Sequence, residues 1–88
     1  MLINQYEDEY GYYVWDFEDG VEVIAKECLT DDDVTEYEFE VWVEYEFYGW
    51  ILPNGTDYMN WIEMFDDGVN PIAARYFETE SECVRSQA

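Results

Sequence analysis

The stretch VTEYEFEVWVEYEFY, from Val34 to Tyr48, alternates apolar and polar residues with a period of two, the pattern of a half-buried β-strand. Tyr37, Phe39, Val41, Val43, Tyr45 and Phe47 take the odd positions, and Glu36, Glu38, Glu40, Glu44 and Glu46 take the even ones, interrupted by Trp42. A helix fails on the same residues: at 3.6 residues per turn the apolar side chains would scatter around the cylinder and leave no stripe to bury. The run therefore predicts a strand with one face for a core and one face of carboxylates. It exceeds the usual strand length of roughly 3 to 10 residues, so a bend, a bulge near Trp42 or a break before Gly49 is expected.

Carboxylates two apart on one strand face lie roughly 6.6 to 6.8 Å from each other. That is close to the step of about 7 Å between phosphates along one nucleic-acid strand, whose axial rise is about 3.4 Å per phosphate. The spacing has a cost, since unit charges about 7 Å apart repel by about 0.6 kcal/mol in water and by more near a protein surface. Glu36/Glu38, Glu38/Glu40 and Glu44/Glu46 each carry that repulsion. Together they amount to a visible fraction of a small domain's net stability of about 5 to 15 kcal/mol.

The 88 residues make one domain, 1–88, with room for one modest core. Half the chain is apolar and a fifth aromatic, which sets it apart from acidic disordered sequences. Lys26, Arg75 and Arg85 are the only basic residues against 23 acidic ones, for a net charge of −20. Such a field repels nucleic acid and anionic membranes, and attracts basic protein surfaces or cations over a Debye length of about 8 Å. The expectation is a partner protein that is basic, with neither nucleic acid nor membrane bound directly. Two cysteines, Cys28 and Cys83, no signal-like segment after Met1 and no apolar run near 18 residues point to a cytoplasmic protein with reduced thiols. A disulfide between the two stays open.

In chain order, Met1 to Tyr10 reads as an edge strand or a loose arm. The runs YYVWDF and VEVIAKECL around Glu18-Asp19-Gly20 read as a β-hairpin over 12–28, because Asp-Gly supplies the positive φ such turns need. Tyr13, Trp15 and Phe17 share one face, as do Val21, Val23 and Ala25. Thr30 to Asp33 is a solvated loop, and Pro53-Asn54-Gly55 a turn. The segment TDYMNWIEMFDDG fits a helix, capped at Thr56 or Asp57, striped by Tyr58, Met59, Trp61, Ile62 and Phe65, and ended by Gly68. A strand is the rival reading there. Asn70 to Phe77 reads as extended, followed by a capping box, Thr79-Glu80-Ser81-Glu82, that opens a terminal helix; alternatively one longer helix starts at Pro71. The fold class is α+β: a three- to four-stranded, mainly antiparallel sheet (hairpin 12–28, long strand 34–48) with one or two short C-terminal helices on one face.

Chemistry is limited by what is missing. Without histidine there is no imidazole acid, base or metal ligand, and two cysteines alone do not make a zinc site. Paired carboxylates can run glycoside hydrolysis, but exposed acids stay ionised and a chain of this size has little room for a cleft. An EF-hand loop needs glycine at its sixth position, where a loop starting at Asp31 has Glu36 and one starting at Asp16 has Val21. The expectation is a protein that is not an enzyme and carries no cofactor and no metal.

A glutamate-lined outer face is common on strands. Here, however, lysine and arginine are almost missing, although mixed charges would serve solubility without self-repulsion. That balance favours a functional negative surface of Glu36, Glu38, Glu40, Glu44 and Glu46, extended by Asp31, Asp32 and Asp33 or by Glu7 to Glu9. Trp42 is then an aromatic anchor in an interface, or else packs under a loop or helix. In size, charge and acid-lined strand face the chain resembles the small acidic proteins of phages and mobile elements that mimic nucleic acid, among them uracil-DNA glycosylase inhibitors, anti-restriction proteins and some anti-CRISPR proteins. The resemblance includes no shared motif. It implies an inhibitor that fills the basic cleft of a host restriction, CRISPR, repair, transcription or nucleoid protein, in the host cytoplasm. The alternative is an adaptor or structural protein that binds a partner, or itself as a homodimer, through aromatics: Tyr6, Tyr10, Tyr12, Tyr48, Trp50 and Tyr58 cannot all fit one small core.

Overall fold

This computed structural model describes residues 2–29, 35–53, 57–75 and 83–85, with the backbone alone described at 27–29, 35, 36 and 83–85. Among the described residues, six strands form one sheet whose spatial order is the order of the sequence. They are β1 (Leu2–Glu7), β2 (Tyr13–Phe17), β3 (Val21–Leu29), β4 (Thr35–Val43), β5 (Glu46–Leu52) and β6 (Cys83–Arg85), with the helix α1 (Tyr58–Asp66) between the last two strands. β1 to β5 are an antiparallel meander, and β6 runs parallel to β5 at the far edge. The protein is therefore α+β.

The hairpin forms where the sequence places it. Asp19 and Gly20 both take positive φ, 66° and 74°, so β2 passes into β3 through a 3-10 turn at Glu18–Gly20. In β2, β3 and β4 the odd-numbered residues then share one face of the sheet. Trp15, Phe17, Val21, Val23, Ala25, Phe39, Val41 and Ile51 are all buried on it, under Trp61 and Phe65 of α1. Phe65 lies 5.1 Å from Phe39 and 5.3 Å from Trp15, ring centre to ring centre, and aromatic pairs of this kind add about 0.5–1.5 kcal/mol beyond the area they bury. Trp15 also donates its indole Nε1–H to Asp66 Oδ1 at 2.8 Å, which fixes the end of the helix to the sheet. The helix stops because Gly68, at φ 89°, turns the chain back so that its N–H and that of Val69 bond the carbonyls of Phe65 and Met64.

Four expectations need correction. Among the described residues the sheet has six strands, not three or four. The long strand expected over 34–48 does bulge near Trp42 and break before Gly49 as its length foretold, but it breaks by reversing into a second strand: the chain turns back at Glu44 and Tyr45, whose φ values of 51° and 68° make a two-residue hairpin turn. Folding back there sets Ile51 opposite Phe39, within the core, where a straight strand would have run Tyr45 and Phe47 past it. Tyr45 is instead 99% exposed at the turn, and Phe47 pairs with Trp42 on the other face. Next, 70–75 is neither extended nor helical but a run of turns begun by buried Asn70, whose Oδ1 accepts the N–H groups of Ile72 and Ala73. Last, Cys83–Arg85 is a strand where a terminal helix was expected; the capping box itself lies outside the described residues. Cys28 and Cys83 stand on strands separated by two others, roughly 14 Å at about 4.8 Å per strand, beyond the Cα separation of up to about 7 Å that a disulfide spans.

Candidate functional site

The face of the sheet opposite α1 is built from cross-strand rows. One row runs Asn4, Asp16, Glu22, Trp42 and Phe47; the next runs Tyr6, Val14, Ile24, Glu40 and Trp50. In a third, Lys26 stands opposite Glu38. Directly paired side chains on neighbouring strands approach to about 4.5–5.5 Å at Cβ. The open face is thus a mixed field of carboxylates and aromatics.

Of the residues singled out in the sequence, the structure brings Glu38, Glu40 and Trp42 together here, all half-buried. Glu40 is engaged on both oxygens: Lys26 Nζ lies 3.1 Å from Oε2, and the Trp42 indole donates to Oε1 at 3.2 Å. Burial works to lower the Lys26 ammonium's pKa, but the hydrogen bond and charge of Glu40, with Tyr12 and Glu38, outweigh it and hold the pKa above the ordinary lysine value. Trp42 packs edge-on against Phe47, centroids 5.5 Å apart, and Phe47 lies 4.6 Å from Trp50.

Glu44 and Glu46 do not continue the line. Glu44 is exposed at the β4–β5 turn, its N–H donating to the Gly20 carbonyl at 2.9 Å, so the two hairpin turns lean on each other. A bulge between Val41 and Trp42 shifts the register of β5 by one residue, and Glu46 pairs with Val43, whose side chain packs on the helix-covered face. Glu36 holds a backbone position opposite Cys28. Asp31, Asp32 and Asp33 lie outside the described residues.

Two acids not singled out in the sequence are brought face to face. Asp16 and Glu22 are direct cross-strand partners. Burial, then the hydrogen bond to Asp16 and the Asp16 charge, push the Glu22 carboxyl up to about 7. Burial and the charges of Asp16, Glu22 and Asp8 likewise raise Tyr6. The signal was present in the sequence: a hairpin closed at Asp19-Gly20 sets residue 16 across from residue 22.

Among the described residues no three histidine, cysteine, aspartate or glutamate side chains converge on a point that could hold a metal ion. Among those residues no helix is long and apolar enough to cross a membrane. In comparisons with protein-family models, curated proteins and solved structures, the chain matches none.

Proposed function

We propose that this protein is an inhibitor that occupies the nucleic-acid-binding cleft of a basic protein, its open sheet face standing in for a run of phosphates. The observation that carries the reading is the charge of that face. Asp16, Glu22, Glu38 and Glu40 lie in three adjacent rows, Glu44 stands at their end, and Lys26, the lysine among them, is already held by Glu40. With a net charge of −20, approach to a basic cleft is steered, fast and sensitive to salt. The targets that suit it are restriction, CRISPR, repair, transcription and nucleoid proteins of a host cytoplasm.

Affinity capture from a bacterial lysate, followed by competition with DNA and with RNA, tests the reading. The expected result is a nucleic-acid-binding protein released by one of the two competitors and by salt. A captured partner that still binds its nucleic acid normally within the complex would sink it.

A second reading rests on the aromatics. Tyr6 is 40% exposed and Trp50 38%, and Tyr10 is more open still, whereas Tyr12, Tyr48 and Tyr58 are half-buried. An adaptor that binds a partner or a second copy through such residues would do so with little dependence on ionic strength. Sedimentation at low and high salt separates it from the first reading, and a monomer at both salts counts against self-association.

A further inference from the structure

The open face is not flat. Where β2, β3 and β4 meet the β4–β5 turn it holds a groove of about 830 Å³, walled by Ile3, Ile24 and Trp42 and bearing Asp16, Glu22 and Glu44. Like charges directly opposed on neighbouring strands destabilise a sheet. Here Asp16 and Glu22 oppose each other, with Trp42 next in the same row. Lys26 is committed to Glu40, one row away, and does not compensate that pair. Apolar walls beside unmatched negative charge call for an occupant with a long aliphatic stem and a flat cationic end.

Resting on the reading of the face as a phosphate surrogate, we propose that the groove receives one arginine side chain of the basic partner, its stem along Ile24 and Trp42 and its guanidinium spanning Asp16 and Glu22. Arginine suits it better than lysine, because a planar fork reaches two carboxylates at once and stacks on an indole, which a point charge does not. A bare divalent cation would leave the apolar walls unused. A second copy of this chain would bring its own −20 charge against the acids.

The test uses three short, end-capped peptides that are uncharged except at one central residue, which is arginine, lysine or the neutral citrulline. Each is titrated at low salt into the ¹⁵N-labelled full chain. The arginine peptide is expected to move the Trp42 indole N–H and the Asp16 and Glu22 amides saturably, with the citrulline peptide about tenfold weaker, since it loses the charge-assisted hydrogen bonds. In the combined variant D16N/E22Q, which sheds repulsion and whose fold is checked by thermal melting, the arginine peptide should lose about the same factor. Equal binding of the arginine and citrulline peptides to the unaltered chain overturns the proposal, and so do shifts centred on Glu38 with the groove unmoved. Failure here is separable from failure of the inhibitor reading. If D16N/E22Q still captures a nucleic-acid-binding protein with undiminished affinity, the groove is wrong and the inhibitor stands. If the chain selects arginine yet captures no such protein, the groove stands and the inhibitor is wrong.

Discussion

Lys26 forms its ion pair with Glu40 at 3.1 Å, diagonal to its own cross-strand neighbour Glu38, with its ammonium 5.3 Å from the centre of the Tyr12 ring. The choice of partner matters because Glu40 also holds the Trp42 indole, so a single lysine orders the middle of the acidic face. Replacing it, Lys26→Gln, leaves a half-buried carboxylate without its cation, which should cost about 1–3 kcal/mol. In thermal melting at pH 7 that corresponds to a drop of about 4–8 °C per kcal/mol for a domain of this size. An unchanged melting temperature would mean that the pair is idle.

Stability should fall as pH rises from about 5 to about 8. Glu22 has its folded pKa lifted to about 7, so between its unfolded value and that point the folded chain holds the extra proton. The stabilisation is complete below the unfolded pKa and is lost as pH climbs through the folded one. After solvent screening of a half-exposed pair the effect is about 1 kcal/mol. Glu22→Gln should flatten this part of the profile, measured by chemical denaturation at several pH values; a slope identical in the variant would assign it to the net charge alone.

Tyr45→Gly should stabilise the protein. Tyr45 sits at φ 68°, a left-handed conformation costing a non-glycine residue about 1–2 kcal/mol, and its exposed ring has no packing to lose. A gain of about 0.5–1 kcal/mol remains after the greater freedom of glycine in the unfolded chain is subtracted. If the variant is less stable in urea, the ring is making a contact that its exposure belies.

Phe39→Ala should unfold much of the population. Phe39 is fully buried between Trp15, Phe65 and Tyr58, and truncating such a ring costs about 3–5 kcal/mol. Asp16→Asn, on the opposite face, should leave the fold intact while weakening capture of a basic partner. Circular dichroism and capture measured on the same two proteins should therefore move in opposite senses. An Asp16→Asn chain that unfolds would make the pair structural.

The hairpin, the helix and the two-faced character of the central strand were legible in the sequence, because each rests on local chemistry: Asp19-Gly20 for the turn, Tyr58 to Phe65 for the stripe, alternation for the strand. The length of the run foretold a break before Gly49, but hidden from the sequence was that the chain reverses there, at Glu44 and Tyr45, where neither residue is a turn former and the alternation runs on. That one turn also explains the misplaced half of the acidic ladder. Once the chain doubles back through a two-residue turn, Glu46 faces Val43 and Phe47 joins Trp42. Strand β6 was hidden for a different reason: a three-residue edge strand carries almost no periodicity, and its pairing with β5 is fixed by tertiary geometry.

That pairing sets an order of assembly. The meander joins strands that are neighbours in sequence, whereas β6 reaches Trp50 and Leu52 only after α1 and the turns beyond it have been traversed. Contacts across so long a separation form late, because the entropy of closing the loop comes before any return from the pairing. For that interval the outer edge of β5 is bare backbone, ready to accept any extended segment that arrives first. The protein's hazard during folding thus lies along the outer edge of β5 and not in the Asp16–Glu22 groove, and it lasts as long as the last strand takes to come home.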